Sequence, residues 1–152
     1  MSDKKILILY GTETGNSELL AMDAENLAKE LDFDVTVNGM DEITLSDMQD
    51  AGNVLIVCST WGDGEQPDNA IDLYESVESS DDASMSGVGF AVLALGDTAF
   101  DLFCEAGIQW DNILQEKGGN RISERIDCDV DYEDDAEVWI EDTLNLFKKT
   151  WE

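Results

Sequence analysis

The sequence predicts an α/β fold: a doubly wound, five-stranded parallel sheet of order 2-1-3-4-5 with helices on both faces. Three observations predict it. Short apolar runs alternate with stretches of helical periodicity along the whole chain. The runs are apolar at consecutive positions, as strands covered on both faces are. No Pro- or Ser-rich linker, repeat or low-complexity tract interrupts the 152 residues. They read as a single domain, 1–152, long enough to bury a real core.

"KKILILY" (4–10) reads as the first buried strand, and Leu20, Ala24, Leu27 and Leu31 recur at helical spacing within 17–31. "FDVTVNG" reads as the second strand and "LSDMQD" as a short helix. "NVLIVCS" (53–59) is the third strand. The segment 68–79 follows as a helix with Tyr74 and Val77 inward. "GVGFAVLAL" (87–95) is the fourth strand, and 103–117 repeats Phe103, Ala106, Trp110, Ile113 and Leu114 on one stripe. A short fifth strand lies within 120–128. The last helix, about 134–150, aligns Ala136, Ile140, Leu144, Phe147 and Trp151.

Composition removes several function classes. Eight basic residues against 36 acidic give a formal charge of −28, which argues against nucleic acid or an anionic membrane as partner. The chain has no histidine, so imidazole catalysis and most transition-metal sites are excluded. Cys58, Cys104 and Cys128 are odd in number and far apart, without CxxC or zinc spacing, and read as reduced thiols in a cytoplasmic protein. No apolar run approaches the ~18 residues of a membrane span, and "MSDKKILIL" reads as a strand entry rather than a signal peptide.

In a doubly wound sheet the ligand sits beyond the carboxyl ends of the strands, at the switch point. The loops there are 10–17, 59–68 and 96–104, the segments of unusual composition. The first, "YGTETGNSE", offers the hydroxyls of Thr12, Thr14 and Ser17 and the amides of Glu13 to Ser17, through Gly15 and Asn16, to one anion at a helix N-terminus. It lacks the lysine of a P-loop and is not GxGxxG. The bland alternative is a capped strand-to-helix turn. The second loop, "STWGDGEQPDNA", sets Trp61 beside Gly62 directly after a buried strand, and the third sets Phe100 at the end of another. Two aromatics on neighbouring loops suit a planar ring between them, unless Trp61 folds back on its own loop.

The ordered set "YGTETGNSE", "CSTWGDGE" and "ALGDTAFDLFCEAG" resembles the flavodoxins and the closely related flavin domains of sulfite reductase and its diflavin relatives. The likeness runs over essentially the whole chain and implies a flavodoxin-like fold with FMN as cofactor. By position it implies that Thr12, Glu13, Thr14, Gly15, Asn16 and Ser17 hold the phosphate. Ser59 and Thr60 would lie near the ribityl chain and phosphate. Trp61 would stack on the inner ring face, and Gly62 and Asp63 would face flavin N5. Leu95, Gly96, Asp97, Phe100, Phe103 and Cys104 belong to the loop that meets the pyrimidine edge, with Phe100 where the family usually carries Tyr. No long insertion splits the last strand, as in the short-chain members.

The resemblance implies a low-potential one-electron carrier with non-covalently bound FMN. It would be reduced by an external reductase of the flavodoxin/ferredoxin reductase kind and would pass electrons to a basic acceptor protein. No catalytic group or metal site is nominated, and a monomer is expected. The alternative is the FMN domain or subunit of a diflavin reductase of the sulfite reductase kind. A phospho-receiver module on the same topology is disfavoured, because the first strand ends in Tyr10-Gly11 and the third in Ser59-Thr60-Trp61, without the acidic residues it needs. A tyrosine-phosphatase loop is excluded because no arginine follows Cys58 closely.

The acidity has two readings, steering of basic partners and solvation of the surface in a salty cytoplasm. A chain of charge −28 repels itself, and salt screens that repulsion over about 10 Å at 0.1 M. The melting temperature is expected to climb steadily as KCl rises well past about 0.1 M. A flat profile in thermal melts would reject the solvation reading and leave partner docking.

Overall fold

Apolar residues at adjacent positions of one strand need cover on both sides, and the chain supplies it with helices in alternation. The structure is a computed structural model that describes residues 5–11, 16–59, 66, 68–81, 83–96, 104–129 and 133–149. Along these residues run β1 (Lys5–Gly11), α1 (Asn16–Glu30), β2 (Asp34–Gly39), α2 (Leu45–Ala51) and β3 (Asn53–Ser59). Then come α3 (Ile71–Glu78), β4 (Gly89–Leu95), α4 (Glu105–Glu116), β5 (Asn120–Arg121), β6 (Ile126–Cys128) and α5 (Glu133–Lys149). Single 3₁₀ turns at Met40–Glu42 and Asp68–Ala70 precede α2 and α3.

The strands are parallel in the order β2-β1-β3-β4-β5, with β6 also paired to β4, as the alternating pattern predicts. Successive side chains point to opposite faces. Leu7, Leu9, Val54, Ile56, Cys58, Phe90 and Val92 therefore enter one core with Leu73 and Val77 of α3 and Trp110 and Leu114 of α4. Ile6, Ile8, Leu55, Val57, Ala91 and Leu93 enter the other, with Leu20 and Ala24 of α1 and Ile140, Leu144 and Phe147 of α5. The edge strand β2 departs from burial on both faces, since Asp34 and Thr36 are exposed. α1 stops one residue short of Leu31. Asp32 takes φ +67°, and the Phe33 amide returns to Ala28 O at 2.9 Å, which turns the chain out of the helix. Trp151 lies outside the described residues.

The fifth strand is broken into two short pieces. β5 pairs with Gly89 and Phe90, and β6 with Leu93 to Leu95. Ile122 still donates to Phe90 O of β4 at 2.8 Å, but Ser123, Glu124 and Arg125 bond to helices instead. Trp139 Nε1 of α5 donates to Glu124 O at 3.0 Å, and Thr143 Oγ1 to Ser123 Oγ at 3.3 Å. Arg125 donates to Asp111 of α4 at 3.1 Å and to Asp127 at 2.7 Å, while Arg121 grips Asp111 with two nitrogens at 2.9 and 3.0 Å. Asp111 is only 4% exposed, so these guanidinium groups supply the compensation that a buried carboxylate requires.

α4 lies flush on β4 because position 107 is glycine. A Cβ there would stand 2.2 Å from Ala94 Cβ and 3.0 Å from Ala94 Cα. Gly107→Ala gains up to about 1 kcal/mol in helix propensity, but overpacking of this kind costs about 1–3 kcal/mol or more. Net destabilisation is expected, read as a lower denaturation midpoint; an unchanged midpoint would mean that α4 shifts freely on the sheet.

Candidate cofactor site

Every strand of a parallel sheet ends on the same edge, so the segments after β1, β3 and β4 start side by side. The chain leaves β1 toward β2 and returns past it to β3, which makes the β1/β3 boundary the switch point. Thr12 to Gly15, Thr60 to Asp63, Asp97, Phe100 and Phe103 lie outside the described residues, as does the side chain of Asn16. Ser17, Ser59, Leu95, Gly96 and Cys104 are described and frame the three segments.

Ser17 is in the first turn of α1, directly after the first segment. It is 0% exposed, and its Oγ has no hydrogen-bond partner among the described residues. A buried hydroxyl without a partner is rare, because it forfeits its bonds to water for nothing. At a helix N-terminus, where amide N–H groups and the helix dipole favour negative charge, such a hydroxyl is an apt donor to an anion. The residues present therefore fit the phosphate of FMN.

The two ends of that segment lie close together. Tyr10, near the end of β1, stands beside the carboxylate of Glu18 in the first turn of α1. Burial, then Glu18 and the charges of Glu42 and Asp41, push the Tyr10 phenol up to about 12. Gly11 is needed for close approach: a Cβ there would lie 3.0 Å from Cys58 Sγ, 3.1 Å from Met40 Sδ and 3.2 Å from Ala70 Cβ. Ser59 Oγ donates to Gly11 O at 3.3 Å, which ties the start of the second segment to the start of the first.

The described residues of the third segment serve the protein interior. Leu95 is buried in the core under α1 and α5, and Gly96 N–H donates to Cys128 O at 2.9 Å. Cys104 sits at φ +58°, a left-handed conformation that L side chains seldom adopt, and starts α4. Its thiol is buried, 3.6 Å from both Ala94 O and Cys128 O. The side chains of Leu95 and Cys104 thus point into packing, and what they offer a ligand is backbone.

Two residues that pattern reading did not single out brace the second segment. Asn69 Nδ2 donates to Tyr10 O at 3.2 Å. Gln66 bonds to Trp110, Ala106 and Gln109 of α4, each at 3.0 Å. A polar "EQPDNA" stretch signals a loop, and nothing local in it says which distant carbonyl or indole a side chain will meet.

The fold and this framed switch point define a nucleotide-cofactor protein of the doubly wound class. The Flavodoxin family model matches residues 8–139, and the chain belongs to the flavodoxin family. It is 40% identical over 141 residues to the sulfite reductase [NADPH] flavoprotein alpha-component of Bacillus subtilis, covering 93% of this chain and 23% of that protein. The Vibrio parahaemolyticus alpha-component is 37% identical over 146 residues, covering 96% of this chain and again 23% of the relative. The chain thus spans about a quarter of the length of these relatives. Among solved structures, the flavodoxin of Streptococcus pneumonia TIGR4 superposes with a TM-score of 0.86 at 27% identity, covering 95% of this chain and 98% of that one. Oxidised flavodoxin 2 of Bacillus cereus gives 0.84 at 28% identity, covering 96% and 99%. FMN is the cofactor of this family.

The three thiols are inert in the fold. Burial pushes Cys58 far up. It also lifts Cys104 to about 12 and Cys128 to about 11, aided at Cys104 by the charge of Asp127 and at Cys128 by those of Asp135 and Asp127. Only the thiolate reacts with a disulfide reagent. Native protein at pH 8 is expected to release almost no colour from a thiol-titrating disulfide, and unfolded protein three equivalents. Fast reaction of even one native thiol would contradict the packing around these side chains.

Proposed function

We propose that this protein is a low-potential one-electron carrier whose own side chains hold FMN without a covalent bond. The observation that carries the reading is the buried Ser17 hydroxyl at the N-terminus of α1, at the switch point, which has no partner among the described residues. Bound FMN supplies the electron chemistry; the protein supplies binding, orientation and electrostatics. Thr12 to Ser17 bind the phosphate through hydroxyls and amides, with Ser59 and Thr60 beside the ribityl chain. Trp61 and Phe100 would enclose the ring, Gly62 and Asp63 would face N5, and Leu95 to Cys104 would offer backbone to the pyrimidine edge.

Charge sets the direction of the redox tuning. No lysine or arginine occurs between Lys29 and Lys117, and Arg121 and Arg125 are committed to Asp111 and Asp127. A phosphate bound by neutral donors amid carboxylates leaves the site negative, which opposes the fully reduced, anionic flavin. The same charge suits basic redox partners, a reductase and an acceptor, met by a monomer in the cytoplasm. No helix among the described residues is long and apolar enough to cross a membrane. A second reading is favoured by the 40% identity to the sulfite reductase flavoprotein alpha-component. In it the chain works as the FMN module of a diflavin reductase, receiving electrons from an FAD- and NADPH-binding partner module.

Ser17→Ala tests the binding reading through two effects of opposite sign. In the FMN-free protein it removes a buried hydroxyl that has no partner among the described residues, whose burial costs about 1–3 kcal/mol, so the melting temperature is expected to hold or rise. In FMN titrations it removes a donor to a charged group, so affinity is expected to fall roughly 10- to 100-fold. A parent protein that takes up no FMN, seen as no flavin absorption after gel filtration, defeats the proposal. Equal affinity in parent and variant would remove Ser17 from the site.

A further inference from the structure

We propose that Gln66 is a positioning residue, a brace that locks the segment after β3 to the helix that follows the segment after β4. Its relevance to the flavin rests on the FMN reading above. The side-chain amide makes three hydrogen bonds at 3.0 Å. Oε1 accepts from Trp110 Nε1–H at 3.0 Å and lies 3.6 Å from the Cys58 sulfur, whose single proton it shares as an acceptor with Ser59 O at 3.5 Å. Nε2 donates to Ala106 O and to Gln109 Oε1, both at 3.0 Å. The orientation of the amide follows from its neighbours, since exchanging oxygen and nitrogen would set NH₂ against an indole N–H and a carbonyl against two acceptors.

The places of these partners in the chain give the brace its meaning. Cys58 is the penultimate residue of β3, where the Trp61 segment begins. Ala106 is in the first turn of α4, which starts right after Cys104, where the Phe100 segment ends. Gln66 therefore fixes the two segments assigned to opposite faces of the ring against each other. Trp110 cannot turn its N–H to water: the residue is fully buried and its ring meets Tyr74 of α3 edge-on, with centroids 5.2 Å apart and planes at 89°. α4 in turn cannot slide, because Gly107 is seated on Ala94. Asn69, close by in sequence, holds the same segment to Tyr10 O, so the return of the chain is pinned to β1 and to α4 together.

The test compares Gln66→Met, which keeps bulk and loses the hydrogen bonds, and Gln66→Ala with Ile113→Val, a core truncation in the same helix. Hydrogen–deuterium exchange is measured on the FMN-free proteins, and FMN affinity and the two one-electron midpoint potentials on the reconstituted ones. Both Gln66 variants are expected to exchange several-fold faster in 59–68 and in 97–109. They should also bind FMN about tenfold more weakly, as the loss of one to two net hydrogen bonds allows. The separation of their two midpoint potentials should change, while Ile113→Val keeps the affinity and both potentials of the parent. Exchange that rises in 59–68 alone overturns the brace, and so do affinity and potentials equal to those of Ile113→Val. Failure of the parent to take up FMN overturns the FMN reading and not the brace, which the exchange data then decide alone.

Discussion

Parallel pairing sets Leu7–Gly11 beside Val54–Cys58 and Asn53–Ser59 beside Gly89–Leu95, and the site follows from that alignment. Because the three strands run the same way, their carboxyl ends share one edge and the three following segments leave together. Parallel strands need crossovers, and the crossovers here are helices that cover both faces. The same arrangement that buries Ile6, Ile8, Leu7 and Leu9 in two cores therefore creates the crevice between β1 and β3. Core and site are two consequences of one pairing.

A crevice made only of chain ends would be loose, and polar side chains tighten it. Ser59, Asn69 and Gln66 each reach a neighbouring element from the vicinity of the second segment, at Gly11 O, Tyr10 O and the first turn of α4. Tyr10 and Glu18 stand together at the two ends of the first segment. The hydrogen bonds of Ser59, Asn69 and Gln66 are half-buried, where water competes less well than at the open surface, so each satisfied bond also avoids part of a desolvation penalty. Ser17 is the exception, a hydroxyl in the same neighbourhood with no partner among the described residues. That contrast makes it the most informative residue of the site.

Charge is distributed with a similar economy. Thirty-six carboxylates cover the chain, and the described cations stand mostly away from the site. Arg121 and Arg125 hold Asp111 and Asp127, and Lys117 donates to Ser80 O at 2.9 Å. These contacts fasten α4 to the broken fifth strand and to the chain that follows α3. Arg121, Arg125 and Lys117 thus serve the scaffold, and in the proposed function anion binding is left to helix geometry and hydroxyls.

Element order and the inward stripes of the helices were legible in the sequence, because those features depend on periods of two and 3.6 residues that any local window displays. The three segments of unusual composition were legible for the same reason, since each follows a recognisable apolar run. The strand order 2-1-3-4-5 was an inference from the alternation, and the pairing bears it out. Only the tertiary structure decided the break in the fifth strand, because Ser123, Glu124 and Arg125 leave the sheet for partners on α4 and α5. It alone revealed that the thiol of Cys104 and the side chain of Leu95 are packing groups. It alone found Gln66 and Asn69 as braces, whose partners lie 44 and 59 residues away in sequence. Such pairs are fixed by where distant segments arrive after the sheet has formed, and no local period encodes that arrival.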